Sequence, residues 1–195
     1  MNYNDITIEQ YQKLTNCILL QTEIIEGSEI VNAYELGMDI LEIFEGVPRS
    51  ESSLWSVKDF DNRLAKYKFL NEPIQSDEWV KELKVGDKGY KVKQTPDKWN
   101  VGQYVSMANL TKRQEDIVDN CHIIIAVMLN ETSDTSELME FAEKVRKEVT
   151  IDKAYPLAVF FTAVMLMLPP NIAASFQVVE SQTGSGVSGG GTTPL

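Results

Sequence analysis

The side chains best suited to catalysis are sparse in this chain and poorly placed for it. The only histidine, His122, lies inside the apolar run at residues 121–129, where a structural imidazole is expected rather than a general base. A single histidine excludes a Ser-His-Asp triad and a site with two histidine ligands. The sequence also holds no nucleophile elbow, Walker loop or dinucleotide fingerprint. We therefore predict no catalytic residue.

Carboxylates and cysteines offer the remaining chemistry. Glu23, Glu26 and Glu29 lie close together in sequence, but in a strongly acidic chain such a cluster usually forms a solvated face. Cys17 and Cys121 are far apart, each beside apolar residues, and neither has the short spacing of a zinc site. Two buried free thiols are expected. No metal site and no cofactor site are predicted.

The tryptophans are the side chains most able to stack on a ligand. Trp55, Trp79 and Trp99 each adjoin a segment with an amphipathic pattern. Packing at the ends of these elements is the expected role, and stacking on a ligand is the alternative.

Composition and charge limit the class of protein further. The chain has 195 residues, of which 43% are hydrophobic and 24% charged, as in a soluble globular domain. Its net charge of −11 would repel a nucleic-acid backbone over most of the surface. Lysines alternate along one segment, where they would protect the edge of a hairpin or, alternatively, form a local basic patch; they are Lys81, Lys84, Lys88, Lys91 and Lys93. Met1 is followed by polar residues, so no secretory signal peptide is expected, and a reducing cytoplasm suits the two thiols.

Two capping boxes mark helix starts. Asn100 is followed three residues later by Gln103, and Thr7 is followed by Gln10. In this arrangement the first side chain accepts a backbone N–H of the first turn, and the glutamine reaches back to the N–H of the cap. Helices are therefore predicted to begin after Thr7 and after Asn100.

Hydrophobic periodicity predicts a mainly α fold with a small β-hairpin. Apolar residues recur at helical spacing in several segments, whereas residues 82–93 alternate apolar and polar side chains about a glycine-containing turn. The predicted helices cover residues 8–25, 30–44, 56–70, 100–110, 114–130, 136–148 and 157–168, and residues 50–53 are predicted to form a turn. Together they are expected to form one compact helical domain over residues 1–176.

The most apolar segment is the helix predicted at residues 157–168, which ends at Pro169 and Pro170. Its twelve residues would span only ~18 Å, too short for a hydrocarbon core of ~30 Å. A helix that is apolar on all sides is normally a central core helix. The alternative is that one side is a docking surface for a partner, carried by Phe160, Phe161, Met165 and Met167.

The chain ends in a segment of glycine, serine and threonine. Residues 177–195 lack the apolar side chains needed to fold alone, so a flexible tail is predicted. Extended, the part from Gly184 to Leu195 is long enough to contact a neighbouring subunit. This part is therefore a candidate partner-binding segment.

Several short segments, in a fixed order after a capped N-terminal helix, carry a resemblance to a known family. They are Glu-Leu-Gly-Met-Asp at 35–39, Gly-Tyr at 89–90, Val-Gly-Gln-Tyr at 101–104, Ile-Ile-Ile-Ala-Val-Met at 123–128 and Ala-Val-Phe-Phe at 158–161. Over residues 6–172 this order resembles the tail-assembly chaperone-like proteins and related virion proteins of tailed bacteriophages that infect Bacteroides-type hosts. The resemblance implies a non-enzymatic role in building the tail or neck, and it supplies no catalytic residues. The Gly/Ser-rich tail departs from the family pattern.

Two functions are compatible with this resemblance. In the first, the chain is a structural component of the particle, bound to other phage proteins and arranged as a homo-oligomer or ring. In the second, it is a transient chaperone that shields apolar segments of a tail protein and is absent from the mature virion. The expected location is the virion or, during assembly, the host cytoplasm. A carboxylate-based enzyme is a third class, and it would require a deep cleft lined by several acids.

Overall fold

The computed structural model describes residues 1–25, 28–74, 80–93, 98–110, 117–129 and 134–167. Within these ranges the chain is mainly helical with short antiparallel strands, which confirms the predicted fold class. The helices are α1 Ile8–Gln21, α2 Ala33–Glu45, α3 Arg49–Ser52, α4 Val57–Leu64, α5 Val101–Leu110, α6 Ile117–Leu129, α7 Thr135–Glu148 and α8 Ile151–Met167. The strands are β1 Thr22–Ile25, β2 Ser28–Val31, β3 Glu82–Val85 and β4 Lys88–Lys91. The predicted tail at 177–195 lies outside the described residues.

The hairpin predicted near residues 82–93 is formed by β3 and β4. Leu83 pairs with Tyr90 and Val85 with Lys88, so Gly86 and Asp87 form the turn. Gly86 in this turn has a φ of 61°, a left-handed conformation that glycine adopts without strain. Leu83 and Val85 are buried, while Lys81, Lys84, Lys88 and Lys91 are exposed. These four lysines are therefore solvated, as the sequence predicted for a protected hairpin edge.

A second hairpin, β1–β2, was not predicted. The sequence analysis expected helices over 8–25 and 30–44, but α1 ends at Gln21 and α2 begins only at Ala33. Between them Thr22 pairs with Val31 and Ile25 with Ser28. The helix predictions were wrong at these ends because β-branched residues continue the apolar pattern of α1 and also favour strands.

Helix α4 is also shorter than predicted. It ends at Leu64, and the chain continues as a 3-10 helix, Ala65–Asn71. Before it, the segment predicted as a turn at 50–53 forms most of the single helical turn α3. Tyr67, in this 3-10 helix, is buried.

The N-terminal segment pairs with the short connection between α7 and α8. Thr7 and Thr150 form an antiparallel bridge, in which Ile8 N donates to Val149 O and Ile151 N donates to Ile6 O at 3.0 and 2.8 Å. All four flanking residues are buried. The first residues of the chain therefore belong to its main core.

Most buried side chains form one large core. It is built from α1, α5, α6, α7, α8 and the β3–β4 hairpin, and α6 packs against both α7 and α8. Its largest fully buried side chains are Ile6, Ile8, Leu83, Met107, Ile124, Ile125, Met128, Ile151, Leu157 and Phe161. Ala154, Leu157, Ala158 and Phe161 of α8 are buried in the core, while Val159 is 40% exposed. The helix begins at Ile151 rather than near 157.

A small cluster lies beside the large core. It has only four buried apolar residues, which come from α2, the loop after it, α4 and the 3-10 helix: Leu41, Val47, Phe60 and Tyr67. Phe44, Phe69 and Leu70 pack against both groups and connect them.

Helix α8 was predicted to be too short to cross a membrane. In the described part of the chain, no helix combines the length and the apolar character that a membrane span requires.

Candidate protein-docking surface

The histidine is a structural residue, as predicted. His122 is buried, and its Nδ1 lies 3.1 Å from the side-chain nitrogen of Gln12. That nitrogen also lies 2.9 Å from the backbone carbonyl oxygens of Val118 and Asp119. Burial, and secondly the charge of Arg146, lower the pKa of His122, so the imidazole is neutral near pH 7. Its role is to join α1 to α6.

Neither cysteine is an activated nucleophile. Burial raises the pKa of Cys121 to about 12, and burial together with Asp39 raises the pKa of the half-buried Cys17. A reactive thiol requires a lowered pKa. Within the described ranges, no three His, Cys, Asp or Glu side chains come close enough together to hold a metal ion.

The predicted docking face of α8 is largely interior. Phe161 has no exposed surface and packs edge-on against Trp99, with 5.8 Å between ring centroids. Phe160 is partly buried and packs against Phe161. The Phe161 side chain therefore has the core role and is not available on the surface. The side chains of Met165 and Met167, and all of Gly184 and Leu195, lie outside the described part of the structure.

An open apolar surface lies instead on the small cluster. A groove between α2 and α4 has a volume of about 220 Å³ and is lined by Tyr34, Met38, Trp55, Val57 and Phe60, with Ser52 and Ser53 at its edge. We call it the Trp55 groove. Tyr34 and Val57 are 57% and 58% exposed, and the neighbouring Leu54 is 84% exposed. Several large apolar side chains thus face solvent within one short stretch of the fold.

Helix geometry forms the groove. Gly37 lies where α2 meets α4: a Cβ at this position would be 2.7 Å from Leu64 Cδ1 and 2.8 Å from Phe60 Cζ. Glycine therefore permits a close approach of the two helices that alanine would prevent. Ser56 caps α4 by accepting a bond from Asp59 N, and Asn32 caps α2 by accepting a bond from Glu35 N.

Ion pairs hold the helices that line the groove. Arg49 on α3 pairs with Glu35 and Asp39 of α2. Glu45 at the end of α2 accepts hydrogen bonds from Arg63 Nε at 2.6 Å and from the Tyr67 hydroxyl at 2.9 Å. These contacts link α2 to the elements that follow it.

The Glu45 carboxylate also pairs with Lys66, 2.5 Å away. Burial acts to raise the pKa of Glu45, but the hydrogen bonds from Lys66, Arg63 and Tyr67 outweigh it and lower this pKa. Glu45 is therefore charged at neutral pH and holds two cations beside the groove.

A polar pocket adjoins the groove and shares Trp55 with it. Its other lining residues are Asp59, Asn62, Arg63 and Lys66. The guanidinium carbon of Arg63 lies 5.0 Å from the centroid of the Trp55 ring, a cation–π distance. One side of the Trp55 ring therefore faces an apolar groove, and the other faces a polar pocket of mixed charge. Tryptophan, tyrosine and arginine are also the residues most enriched at binding hot spots.

Sequence reasoning missed this surface. It assigned Trp55 to packing, the role that Trp99 has, since Trp99 Nε1 donates to Lys93 O and its ring packs on Phe161. Trp79 lies outside the described residues. One feature of the sequence could have indicated this surface: the apolar pair Leu54-Trp55 lies inside the polar segment from Glu51 to Ser56.

Comparison with models of known protein families, with curated proteins and with solved structures finds no match to this chain.

Proposed function

We propose that the chain is a non-enzymatic protein that acts through protein–protein contacts, as a structural or assembly protein in the tail or neck of a bacteriophage particle. The observation that carries the docking role is the Trp55 groove, where Val57 and Tyr34 expose apolar surface, with the exposed Leu54 next to Trp55 in sequence and a polar pocket on the other side of the ring. Contiguous exposed apolar patches on soluble proteins commonly mark interaction sites. The phage setting follows from the resemblance of residues 6–172 to tail-assembly proteins.

The state of the chemical side chains supports a binding role. His122 is neutral and buried, and the pKa values of both thiols are raised. The acids around the groove, Glu35, Asp39 and Glu45, are engaged in ion pairs with neighbouring cations. A binding role uses the exposed apolar side chains directly, whereas a carboxylate enzyme would need a raised pKa in a cleft.

The first experiment asks where the protein resides. Mass spectrometry of purified mature particles would measure peptides of this chain against the major capsid protein. A fixed stoichiometric ratio is expected for a structural component. Absence from particles with abundance in infected cells would favour the alternative, a transient chaperone that shields apolar segments of a tail protein. Absence from both would overturn the phage setting.

The second experiment asks whether the groove makes the contact. The double substitution Leu54→Ser and Val57→Ser should leave folding unchanged and lower incorporation into particles by roughly tenfold, because about 1.4 kcal/mol of lost contact has this effect. Val101→Ser is the matched control, since Val101 is 62% exposed but lies on α5. Equal incorporation of the double variant and the control would show that the groove is not the docking site.

A further inference from the structure

The contact between Gln12 of α1 and His122 of α6 fixes which group donates and which accepts. Both side chains are buried. The Gln12 side-chain nitrogen donates to two backbone carbonyl oxygens of α6, those of Val118 and Asp119, each at 2.9 Å. The same nitrogen lies 3.1 Å from His122 Nδ1. Because an amide nitrogen only donates, Nδ1 is the acceptor and the neutral imidazole carries its proton on Nε2.

A protonated imidazole does not fit this arrangement. The second proton would bind to Nδ1, so that two donors would face each other at the 3.1 Å contact. Flipping the Gln12 amide does not solve the problem, because its oxygen would then lie close to the two carbonyl oxygens that now accept from its nitrogen. In both cases a buried polar group is left without a partner, which is costly. The contact between α1 and α6 therefore requires the neutral form of His122.

The charged groups around the imidazole do not compensate. Burial lowers the pKa of His122 most, Arg146 of α7 lowers it further, and Glu143 of α7 and Asp119 of α6 raise it. The Glu143 carboxylate lies 3.1 Å from Arg146 Nη1, and Glu9 of α1 lies 3.7 Å from Arg146 Nη2. These two acids are thus paired with a cation already. Helix α5 has no charged residue, and those of α8 are confined to its first turn.

Helix α1 connects the large core to the small cluster. It packs against α6, α7 and α8 on one side and against α2 on the other. Ile8 and Leu14 of α1 are buried, and Gln21 at its end donates to Asp39 of α2 at 3.3 Å. A weaker contact between α1 and α6 therefore also weakens the attachment of α2.

We infer that Gln12 and His122 form an acid-sensitive contact: protonation of His122 releases α1 from α6 and loosens the small cluster from the large core. This property belongs to the fold and would exist whatever partner the Trp55 groove binds. The stabilisation is complete above the ordinary histidine pKa of about 6.5. Because the folded-state pKa is lower, the stabilisation is lost as the pH falls from 6.5 to the folded-state value. Within this window the equilibrium constant for unfolding should rise by up to about tenfold per pH unit.

An NMR titration of the full-length chain tests the donor and acceptor assignment. His122 is the only histidine, so its imidazole signals need no further assignment. The wild type should titrate below pH 6.5 and have an unprotonated Nδ1 at pH 7. Gln12→Met keeps the length of the side chain but removes the donor, and it should raise the midpoint of His122 by roughly one pH unit. Gln21→Met makes the same change elsewhere on α1 and should leave the midpoint unchanged. An unchanged or lower midpoint in Gln12→Met would mean that burial alone acts on His122, and the inference would be wrong.

Hydrogen–deuterium exchange tests whether α1 is released. Rates at pH 7 and pH 5, corrected for the pH dependence of exchange in an unfolded chain, should show roughly tenfold less protection of α1 at pH 5 and a smaller change in α8. His122→Asn is the matched variant, since its amide oxygen can accept from Gln12 in place of Nδ1 but is not protonated in this range. This variant should lose the acid response of α1, and circular dichroism would verify that it is folded. Equal loss of protection in α1 and α8, unchanged protection of α1, or the same response in His122→Asn would each overturn the inference.

Discussion

The large core and the small cluster reach stability by different means. In the large core, apolar residues from five helices and a hairpin bury most of the apolar side chains of α6 and α8. Buried polar side chains such as Gln12 and Gln103 there bond to backbone carbonyls of α6. The small cluster buries four apolar residues and relies on Arg49, Arg63 and Glu45 to hold its helices.

The two regions also differ in the apolar side chains that they leave exposed. Apolar side chains that would complete a larger core, Tyr34, Leu54 and Val57, remain exposed in the small cluster. Regions with few buried contacts open at lower free energy than the core, and binding surfaces are drawn from them. In the function we propose, the large core is the scaffold and the small cluster is the surface that it presents.

The largest expected effect comes from truncating one buried phenylalanine in each region. Phe161→Ala should lower the free energy of unfolding by about 3–5 kcal/mol, because it leaves a cavity in the fully closed core. Phe60→Ala should lose less, since its ring lies at the floor of an open groove and solvent can enter. Urea unfolding followed by circular dichroism measures both. If Phe60→Ala lowers the free energy of unfolding as much as Phe161→Ala or more, the distinction between the two regions is wrong.

The next effect tests the contact between α2 and α4. Gly37→Ala should lower the free energy of unfolding by about 1–3 kcal/mol, because the new Cβ would meet Leu64 and Phe60. Helix propensity alone predicts the opposite sign, a gain of up to about 1 kcal/mol. The same urea titration therefore decides whether the steric clash or the gain in helix propensity is larger. A more stable variant would show that the two helices do not approach closely at this glycine.

The sequence predicted elements whose signals are local. The reciprocal cap of Asn100 and Gln103 forms as expected, with bonds of 2.8 and 3.1 Å, because four consecutive residues hold all its groups. The hairpin at 82–93 was found for the same reason. By contrast, the α1 pattern runs on into Ile24 and Ile25, and pairing with β2 decides that these residues form a strand.

The groove depends on positions far apart in sequence. Tyr34 and Met38 on α2 meet Trp55, Val57 and Phe60 only because Gly37 lets α4 approach. In the sequence, Tyr34, Met38 and Val57 are apolar residues within segments of helical periodicity. Helical periodicity shows which residues share a face, but not whether another element covers that face.

A smaller effect is expected from the helix caps of the two regions. Asn100→Ala should lower the free energy of unfolding by about 1 kcal/mol, because Gln103 N loses its acceptor at the start of α5. Ser56→Ala removes the equivalent cap from α4. This variant should lower the free energy of unfolding by less, because the small cluster already opens locally before the whole protein unfolds. Thermal unfolding of both variants, with exposed Asn62→Ala as control, measures the difference. An unchanged midpoint for Asn100→Ala would refute a stabilising role for the α5 cap.

The smallest effect isolates the ion pairs of the small cluster. Glu45→Gln should cost less than about 1 kcal/mol at pH 7, since Arg63 and Lys66 are half exposed and screened by solvent. The pKa of Glu45 is lowered in the folded state, so its charge stabilises the fold above the ordinary glutamate pKa of about 4.3. The stabilisation is lost as the pH falls through the lower, folded-state pKa. Urea unfolding of the wild type and of Glu45→Gln at several pH values measures the difference between their free energies of unfolding. This difference should disappear on acidification and become smaller in high salt. A difference that persists below the folded-state pKa would mean that Glu45 acts through packing, and the small cluster would then resemble the large core more than its ion pairs indicate.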